Sequence, residues 1–362
     1  MKTLMRLSRD SLDTDVMANY GIDDLDMNSI EQYKSELIKS EEYSSYEGLD
    51  ISTFLKRIGV MSKDYENSGN YGITAGGLLF FGDNNAILHR FPTFQLDYFD
   101  KSHPDQERWS SRISSIEKNL NIYSFFKLTD EHLKATIPNS FKLDENGKRV
   151  DTFGSMYTAI REGLINMLMH ADYFEDSPIT FNEYTNYYEF LNPGKMKIPS
   201  EDFFTTNNSK NRNAIISKLF LQVGFGERAG HGGEKIFESA VQNDFRDPII
   251  ETNIYQTKLI IWKVDYANSF SGKKIADRER EVLRAIISSG IVELSHGKIE
   301  EITGYSRYVA DKAIYSLVDK EIIEKRGVGR ATRFALPTTN EQLIAQIQAM
   351  PDMLRNIINN SK

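Results

Sequence analysis

Glu162, Asn166 and His170 set a carboxylate, a carboxamide and an imidazole at successive four-residue steps inside the stretch REGLINMLMHADY. An α-helix turns once every 3.6 residues, so positions i, i+4 and i+8 drift slowly around the axis and share a face. Leu164, Ile165, Leu168 and Met169 fall elsewhere on the same helix and supply a stripe for burial. Such a polar row is either a solvated face or one edge of a site, and spacing alone does not choose between them.

A second candidate is the glycine cluster QVGFGERAGHGGEKIFES, residues 222–239. Glycines let backbone amides approach an anion closely, and a helix opening after GHGG would aim its positive dipole end at a phosphate. The run at 224–229 satisfies a loose G-x-G-x-x-A dinucleotide pattern. That pattern needs a strand before it and a helix opening inside it. Here Ile215, Ile216, Leu219 and Phe220 recur at helical spacing before it, and the better helix start is Gly233. No G-x-x-x-x-G-K-[ST] and no H-E-x-x-H occurs, so P-loop motors and zincin chemistry are excluded. His170-Ala171-Asp172 lacks further ligands nearby and reads as a helix-end histidine rather than a metal pair.

The elements that must position these groups follow from composition and periodicity. A chain of 362 residues is long enough for two or three domains. It contains no cysteine, which excludes thiolate catalysis, disulfides and iron-sulfur ligation. No apolar run is long enough to span a bilayer and the first residues lack a signal-peptide core, so a cytoplasmic protein without membrane partners is expected. The net charge of −8 hides an asymmetry: residues 273–336 carry thirteen Lys/Arg against ten Asp/Glu, net +3, while residues 1–272 carry −11. A polyanion partner is to be sought at the basic segment.

The pattern predicts an α+β multidomain chain. Residues 1–25 read as a polar arm and 26–150 as an α/β region, with helices over 26–39 and 49–60 and a strand over 94–99. Residues 151–268 read as a second α/β unit: the polar-row helix, strands ITFNEY and YYEFL, a bend at Asn192-Pro193-Gly194, a helix AIISKLFLQ, and closing strands over 249–254 and 258–264. After a linker at 269–272, residues 272–336 give three helices and a two-stranded hairpin turning at Gly327-Val328-Gly329. Ser295 and Ser306 stand where caps belong, and Val309, Ala313 and Leu317 are expected inward. The tail 337–362 carries a short heptad stripe, Leu343, Ile347, Met350, Leu354 and Ile357, suited to packing on its own chain or to a homodimer contact.

E-x-x-x-N on a helix, a strand ending in N-P-G and a G-x-G-G turn opening a helix occur in that order within one unit. In this the chain resembles the Bergerat, or GHKL-type, ATP-binding fold. It looks most like the RecG-like C-terminal branch found behind a Schlafen-type domain in bacterial and archaeal transcriptional regulators. REGLINMLMHADY, EFLNPGKMKIP, Arg212-Asn213 and GERAGHGGEKI carry the resemblance, with ITAGGLLFFG and residues 22–26 matching the region before it; the Schlafen-type domain itself is expected to be absent. The resemblance implies a two-layer α/β sandwich with a mixed sheet, binding ATP and Mg²⁺. Glu162 would orient or deprotonate the attacking water and Asn166 would hold Mg²⁺. Asn192 would meet adenine where most of the superfamily has an aspartate, and Gly194 would let the base approach. Gly230, Gly232 and Gly233 would wrap the phosphates, with His170 and Arg212 bordering the nucleotide. Two departures weigh against turnover: D-x-G-x-G is here N-P-G-K-M, and Ala171 follows His170 where the branch would have a basic residue.

Residues 272–336 read as a winged helix-turn-helix. Ser306, Arg307, Tyr308 and Lys312 on its third helix, and Lys325, Arg326, Arg330 and Arg333 on its wing, are the residues expected to meet double-stranded DNA. Together these features point to a DNA-binding transcriptional regulator whose adenine-nucleotide module acts as a switch. A Mg²⁺-dependent ATPase serving DNA processing or defence is the alternative, and a degenerate module that binds neither partner is the third.

Overall fold

The computed structural model describes residues 12–65, 69–103, 108–137, 141–143, 149–206, 210–226, 231–243, 245–264, 275–288 and 293–336. Gly230, the expected linker at 269–272 and the heptad stripe of the tail lie outside them. The architecture is α+β, in two compact units, Met1–Lys263 and Val264–Lys362.

The first unit opens with β1 (Val16–Met17), α1 (Met27–Leu37) and α2 (Ile51–Ile58). Both helices start where the sequence offers a capping aspartate: Asp26 accepts from the Asn28 amide at 3.0 Å and Asp50 from that of Thr53 at 3.0 Å. Gly59, at φ +92°, stops α2 in the left-handed conformation. β2 (Met61–Lys63) and β3 (Tyr71–Thr74) join β1 in a small antiparallel sheet with β3 central.

ITAGGLLFFG divides at Thr74, which ends β3 and caps α3 (Ala75–Phe81), a helix buried along its whole length. A helix apolar on all sides must sit inside the protein, and Phe80 and Phe81 pack edge-on against Tyr33 of α1. Then come α4 (Asn84–Arg90), β4 (Leu96–Lys101), β5 (Ser111–Ser114), α5 (Ser115–Lys118) and α6 (Ile122–Thr136). A short ribbon, β6 (Phe141–Leu143) with β7 (Arg149–Asp151), leads into α7 (Thr152–His170), which carries the polar row. The remaining elements are β8 (Ile179–Tyr184), β9 (Tyr187–Pro193), α8 (Ala214–Gln222), α9 (Gly232–Gln242), β10 (Ile249–Thr252) and β11 (Gln256–Trp262).

Six of these strands make one mixed sheet, ordered β10-β11-β9-β8-β4-β5. β4 and β8 are parallel and every other pair is antiparallel. A parallel pair needs a long crossover, and the chain between β4 and β8 supplies it with α6 and α7. Residues before and after position 150 therefore share one sheet, and a single apolar core runs from Leu25 to Ile261. α7 lies on the sheet face that carries Phe190 and Ile261, close enough that a methyl group at Gly163 would come within 2.8 Å of the Phe190 ring.

From Leu12 on, the stretch expected to be a polar arm is built into this unit. Asp13 is wholly buried, and its carboxylate accepts from the amides of Ala214, Ile215 and Ile216 at 2.9, 2.8 and 3.0 Å. It caps α8 from far away in the chain. Asn213, at the N-cap position of α8, makes no side-chain cap hydrogen bond; its amide nitrogen donates to the carbonyls of Met169 and Ala171 at the end of α7.

The second unit comprises α10 (Asp277–Ser288), α11 (His296–Thr303), α12 (Arg307–Asp319) and a hairpin of β12 (Glu324–Arg326) with β13 (Arg333–Ala335), to which Leu294 adds a bridge at Phe334. Ser295 caps α11, accepting from the Lys298 amide at 3.3 Å. Ser306 holds the N-cap position of α12 but makes no side-chain cap hydrogen bond. The inward stripe of α12 is Ala310, Ala313, Ile314 and Leu317, with Val309 half-buried; it is rotated from the expected one toward Ile314, which belongs to the apolar cluster of this unit. Among the described residues no helix is long and apolar enough to cross a membrane.

Candidate functional site

One cavity of about 310 Å³ opens between α7, the strand end at Asn192, the chain that follows it, and the start of α9. Glu162, Asn166, His170, Asn192, Arg212, Gly232 and Gly233 all line it. Three segments far apart in sequence thus meet at one space. Gly230 lies outside the described residues, and Gly194 stands beside the cavity rather than in its wall.

Glu162, Asn166 and His170 line the cavity from one side of α7 because helical geometry is local. Glu162 is 6% exposed, and Asn166 Nδ2 donates to the Glu162 backbone carbonyl at 2.9 Å, leaving the carboxamide oxygen as the atom able to bind a cation. Gly232 closes on this pair: a methyl group there would lie 2.8 Å from Glu162 Oε2 and 3.1 Å from Asn166 Nδ2. Gly233 is tighter still, since a Cβ would fall 1.8 Å from the Phe203 carbonyl oxygen. Only glycine lets the N-terminus of α9 reach this depth, where its first-turn amides and dipole favour an anion.

Asn192 is buried at the end of β9, opposite Thr257 of β11. Its amide makes a long 3.4 Å contact with the Pro193 carbonyl. Thr257 donates to the Gly194 carbonyl at 2.9 Å and shares a 3.1 Å hydrogen bond with Thr252, so it fixes the bend where the chain leaves the sheet. Gly194 adopts φ +96° there, and its amide donates to the Tyr255 carbonyl at 2.7 Å. Phe190, Met196, Ile198, Ile250 and Leu259 give this end of the cavity an apolar wall.

Arg212 lines the cavity as a clamp. Its guanidinium donates to the carbonyls of His170 (2.9 Å) and Lys195 and to Asp172 (3.3 Å), joining the end of α7 to the chain after β9. Burial, then the charges of Arg212 and Lys197, push the His170 imidazole down to about 4, so it is neutral at pH 7.

Sequence reasoning did not single out Lys195, Lys197 and Lys210, which also line the cavity, or Phe203 and Thr257. The alternation of lysine with apolar residues in KMKIP was the available signal for the first two. Thr257 and Phe203 carried none, because their relation to the cavity depends on strand pairing and on a loop path.

In the second unit, the Arg307 side chain is 75% exposed and Tyr308 76%, and Lys312 and Lys325 are also exposed. Arg326 differs from the expectation of a free cation: it pairs with Glu293 at 2.8 Å and Glu324 at 3.0 Å, so its charge is already balanced. Arg333 is half-buried and donates to the Thr332 carbonyl at 2.9 Å. The Arg330 side chain lies outside what is described.

A family model described as "Putative ATP-dependent DNA helicase recG C-terminal" matches residues 176–261, and one described as a domain of unknown function, DUF8451, matches residues 2–97. The first match supports a RecG C-terminal-like module running from β8 to β11, with α7 immediately before it. No curated protein matches the chain. Among solved structures, the crystal structure of the DIP2311 protein from Corynebacterium diphtheriae is similar at 14% identity and a TM-score of 0.48, over 90% of this chain and 70% of that one.

Proposed function

We propose that the cavity binds an adenine nucleotide with Mg²⁺ and that the protein is a nucleotide-responsive, DNA-binding transcriptional regulator. The observation that carries the nucleotide reading is the meeting of Glu162 and Asn166, the Asn192 bend and the Gly232-Gly233 turn around one space. The family match over 176–261 adds to it.

The residues present fit such a ligand. The amides at Gly232 and Gly233 would hold phosphate oxygens in a cradle that a Cβ would fill. Asn166 Oδ1 would hold Mg²⁺, which when bound offsets phosphate charge. Phe190, Leu259 and Ile250 would pack against the base, and Asn192 would present an acceptor and a donor to its edge. Glu162, enclosed beside Gly232, would orient a water and accept its proton.

Titration of the full chain with a fluorescent ATP analogue, with and without Mg²⁺, tests this. Binding should be Mg²⁺-dependent and at least about tenfold weaker in Asn166→Ala, the scale of losing one good charge-assisted contact. Absence of binding by the unaltered chain would refute it. The alternative is a Mg²⁺-dependent ATPase in DNA processing or defence; Glu162→Gln would then abolish phosphate release, whereas a pure switch releases none to begin with.

The second unit supports the DNA half of the proposal through its order of three helices and a hairpin, which is that of a winged helix, with Arg307, Tyr308 and Lys312 exposed on its third helix. Lys325 would add a phosphate contact from the wing, and Ser306, Arg330 and Arg333 complete the proposed surface. Two such units in a homodimer would read two half-sites. Duplex binding measured against salt should lose about one unit of slope for Arg307→Ala and again for Lys325→Ala; unchanged slopes would count against it.

A further inference from the structure

Two helices cover one face of the six-stranded sheet: His132 of α6 meets the ring of Tyr98, and Gly163 of α7 meets Phe190 and Ile261. The cavity lies on that side, where Phe190 and Leu259 wall it. Side chains alternate along a strand, and residues in register on neighbouring strands share a face. Tyr98, Glu183, Tyr188 and Ile261 belong to the covered face, so Phe99, Tyr184, Tyr187 and Trp262, each next in sequence to one of them, project from the opposite one. Along β9 and β11 the alternation leaves most residues of that second face half-buried while those of the first are buried.

The aromatic residues of the second face form a row across four strands. Trp109, just before β5, packs on Phe99 at 5.2 Å between ring centroids, Tyr184 stacks on Tyr187 at 4.6 Å, and Tyr187 meets Trp262 at 5.1 Å. Lys101, in register with Tyr184, bridges the two parts of the row, its ammonium 5.1 Å from the Phe99 ring and 5.5 Å from that of Tyr184. Arg108 stands 5.9 Å from the Trp109 ring and Arg246 4.4 Å from that of Trp262. The acids beside the row are engaged: Asp97 and Glu117 by Arg112, Glu251 by Lys258 at 2.5 Å, and Glu189 by the Asn182 amide at 2.9 Å. The charges of Lys101 and Arg108 meet rings and no carboxylate among the described residues.

Rings interleaved with cations suit a ligand that alternates flat π-faces with anions. A duplex hides its base faces in the stack, and a neutral sugar chain brings no anion to the cations. We propose that this face of the sheet binds single-stranded nucleic acid, with bases stacked on Trp109, Tyr184 and Tyr187 and phosphates drawn to Lys101 and Arg108. Phe99 and the nearly buried Trp262 support the row from beneath. The surface is separate from the nucleotide cavity, which lies across the sheet, and from the second unit.

Anisotropy titration of the full chain with labelled oligothymidylate and oligouridylate of about 15 nucleotides tests this, repeated on the double variant Trp109→Ala/Tyr184→Ala and on Arg307→Ala. Removing two stacking residues should weaken single-strand binding at least about tenfold, and Arg307→Ala should leave it unchanged. Either strand chemistry upholds the proposal, and the tighter of the two names the ligand as DNA or RNA. No binding by the unaltered chain, binding that survives in the double variant, or binding that falls in Arg307→Ala instead would overturn it. Should the double variant fail to fold, the unaltered chain decides by its own emission, because both tryptophans stand in the row: quenching by saturating oligonucleotide supports base stacking, and an unchanged spectrum refutes it. A dimer in sedimentation that the double variant dissolves, with no oligonucleotide bound, would assign the face to a second copy of the chain and likewise overturn the proposal.

Discussion

Replacing His170 with glutamine should flatten the pH dependence of the first unit's stability between pH 6.5 and 4. Enclosure at the end of α7, with Arg212 and Lys197 adding like charge, lowers the imidazole from 6.5 to about 4. The unfolded chain therefore binds a proton in this interval that the folded chain refuses. Stability consequently rises with pH across the window and is unaffected by this group above it. For these two values the histidine costs about 1.4 kcal/mol at pH 5.5 and about 3 kcal/mol at pH 4. Both tryptophans of the chain, Trp109 and Trp262, belong to the first unit, so urea unfolding followed by tryptophan fluorescence reports on that unit. The difference in unfolding free energy between the unaltered chain and His170→Gln, taken at pH 7.5, 5.5 and 4.5, removes every other titrating group. It should shift in favour of the variant by about 1–3 kcal/mol as pH falls. Parallel pH profiles for the two proteins would show that His170 is not held neutral by its surroundings, and would remove the electrostatic picture of that corner.

The remaining predictions use the same readout or the nucleotide titration. Asp13→Asn keeps the shape but turns a donor toward three backbone amides, and should cost about 2–4 kcal/mol in urea unfolding; a loss below about 1 kcal/mol would mean that α8 is capped some other way. In Gly163→Ala, the added methyl meets the Phe190 ring at 2.8 Å, and overpacking of about 1–3 kcal/mol should outweigh the helix-propensity gain of about 1 kcal/mol. A net gain in stability would place α7 farther from the sheet. Gly232→Ala pushes on Glu162 and Asn166 at the far ends of their side chains, so it should weaken fluorescent-nucleotide binding by about tenfold while changing stability by less than about 1 kcal/mol. Unaltered affinity would separate the α9 turn from the binding surface.

Features whose causes lie within a few residues were legible in the sequence. Asp26, Asp50 and Ser295 cap helices where a capping side chain precedes an apolar period, and Gly59 and Gly304 end helices in the left-handed conformation. Glu162, Asn166 and His170 could be set on one face because helical pitch is a property of the backbone alone. The stripe of α12 shows the margin of such reasoning: with Val309 and Ala310 both apolar, spacing alone does not choose the buried side, which in the packed unit holds Ala310 and Ile314.

What the tertiary structure decided are the contacts whose partners are distant in the chain. Asp13 looks like one more acid in a polar leader, yet it is buried at the start of α8, where its carboxylate accepts from three backbone amides. β4 lies parallel to β8 in the middle of the sheet, so the region before position 150 completes the same core instead of forming its own. Thr257 reaches Gly194 through strand register, and Lys197 reaches His170 through the path of a loop. Periodicity reports which side of an element is apolar; it carries no information about which element will cover it. That choice is made by the packing of the whole chain, where burial and the satisfaction of every enclosed polar group are settled together.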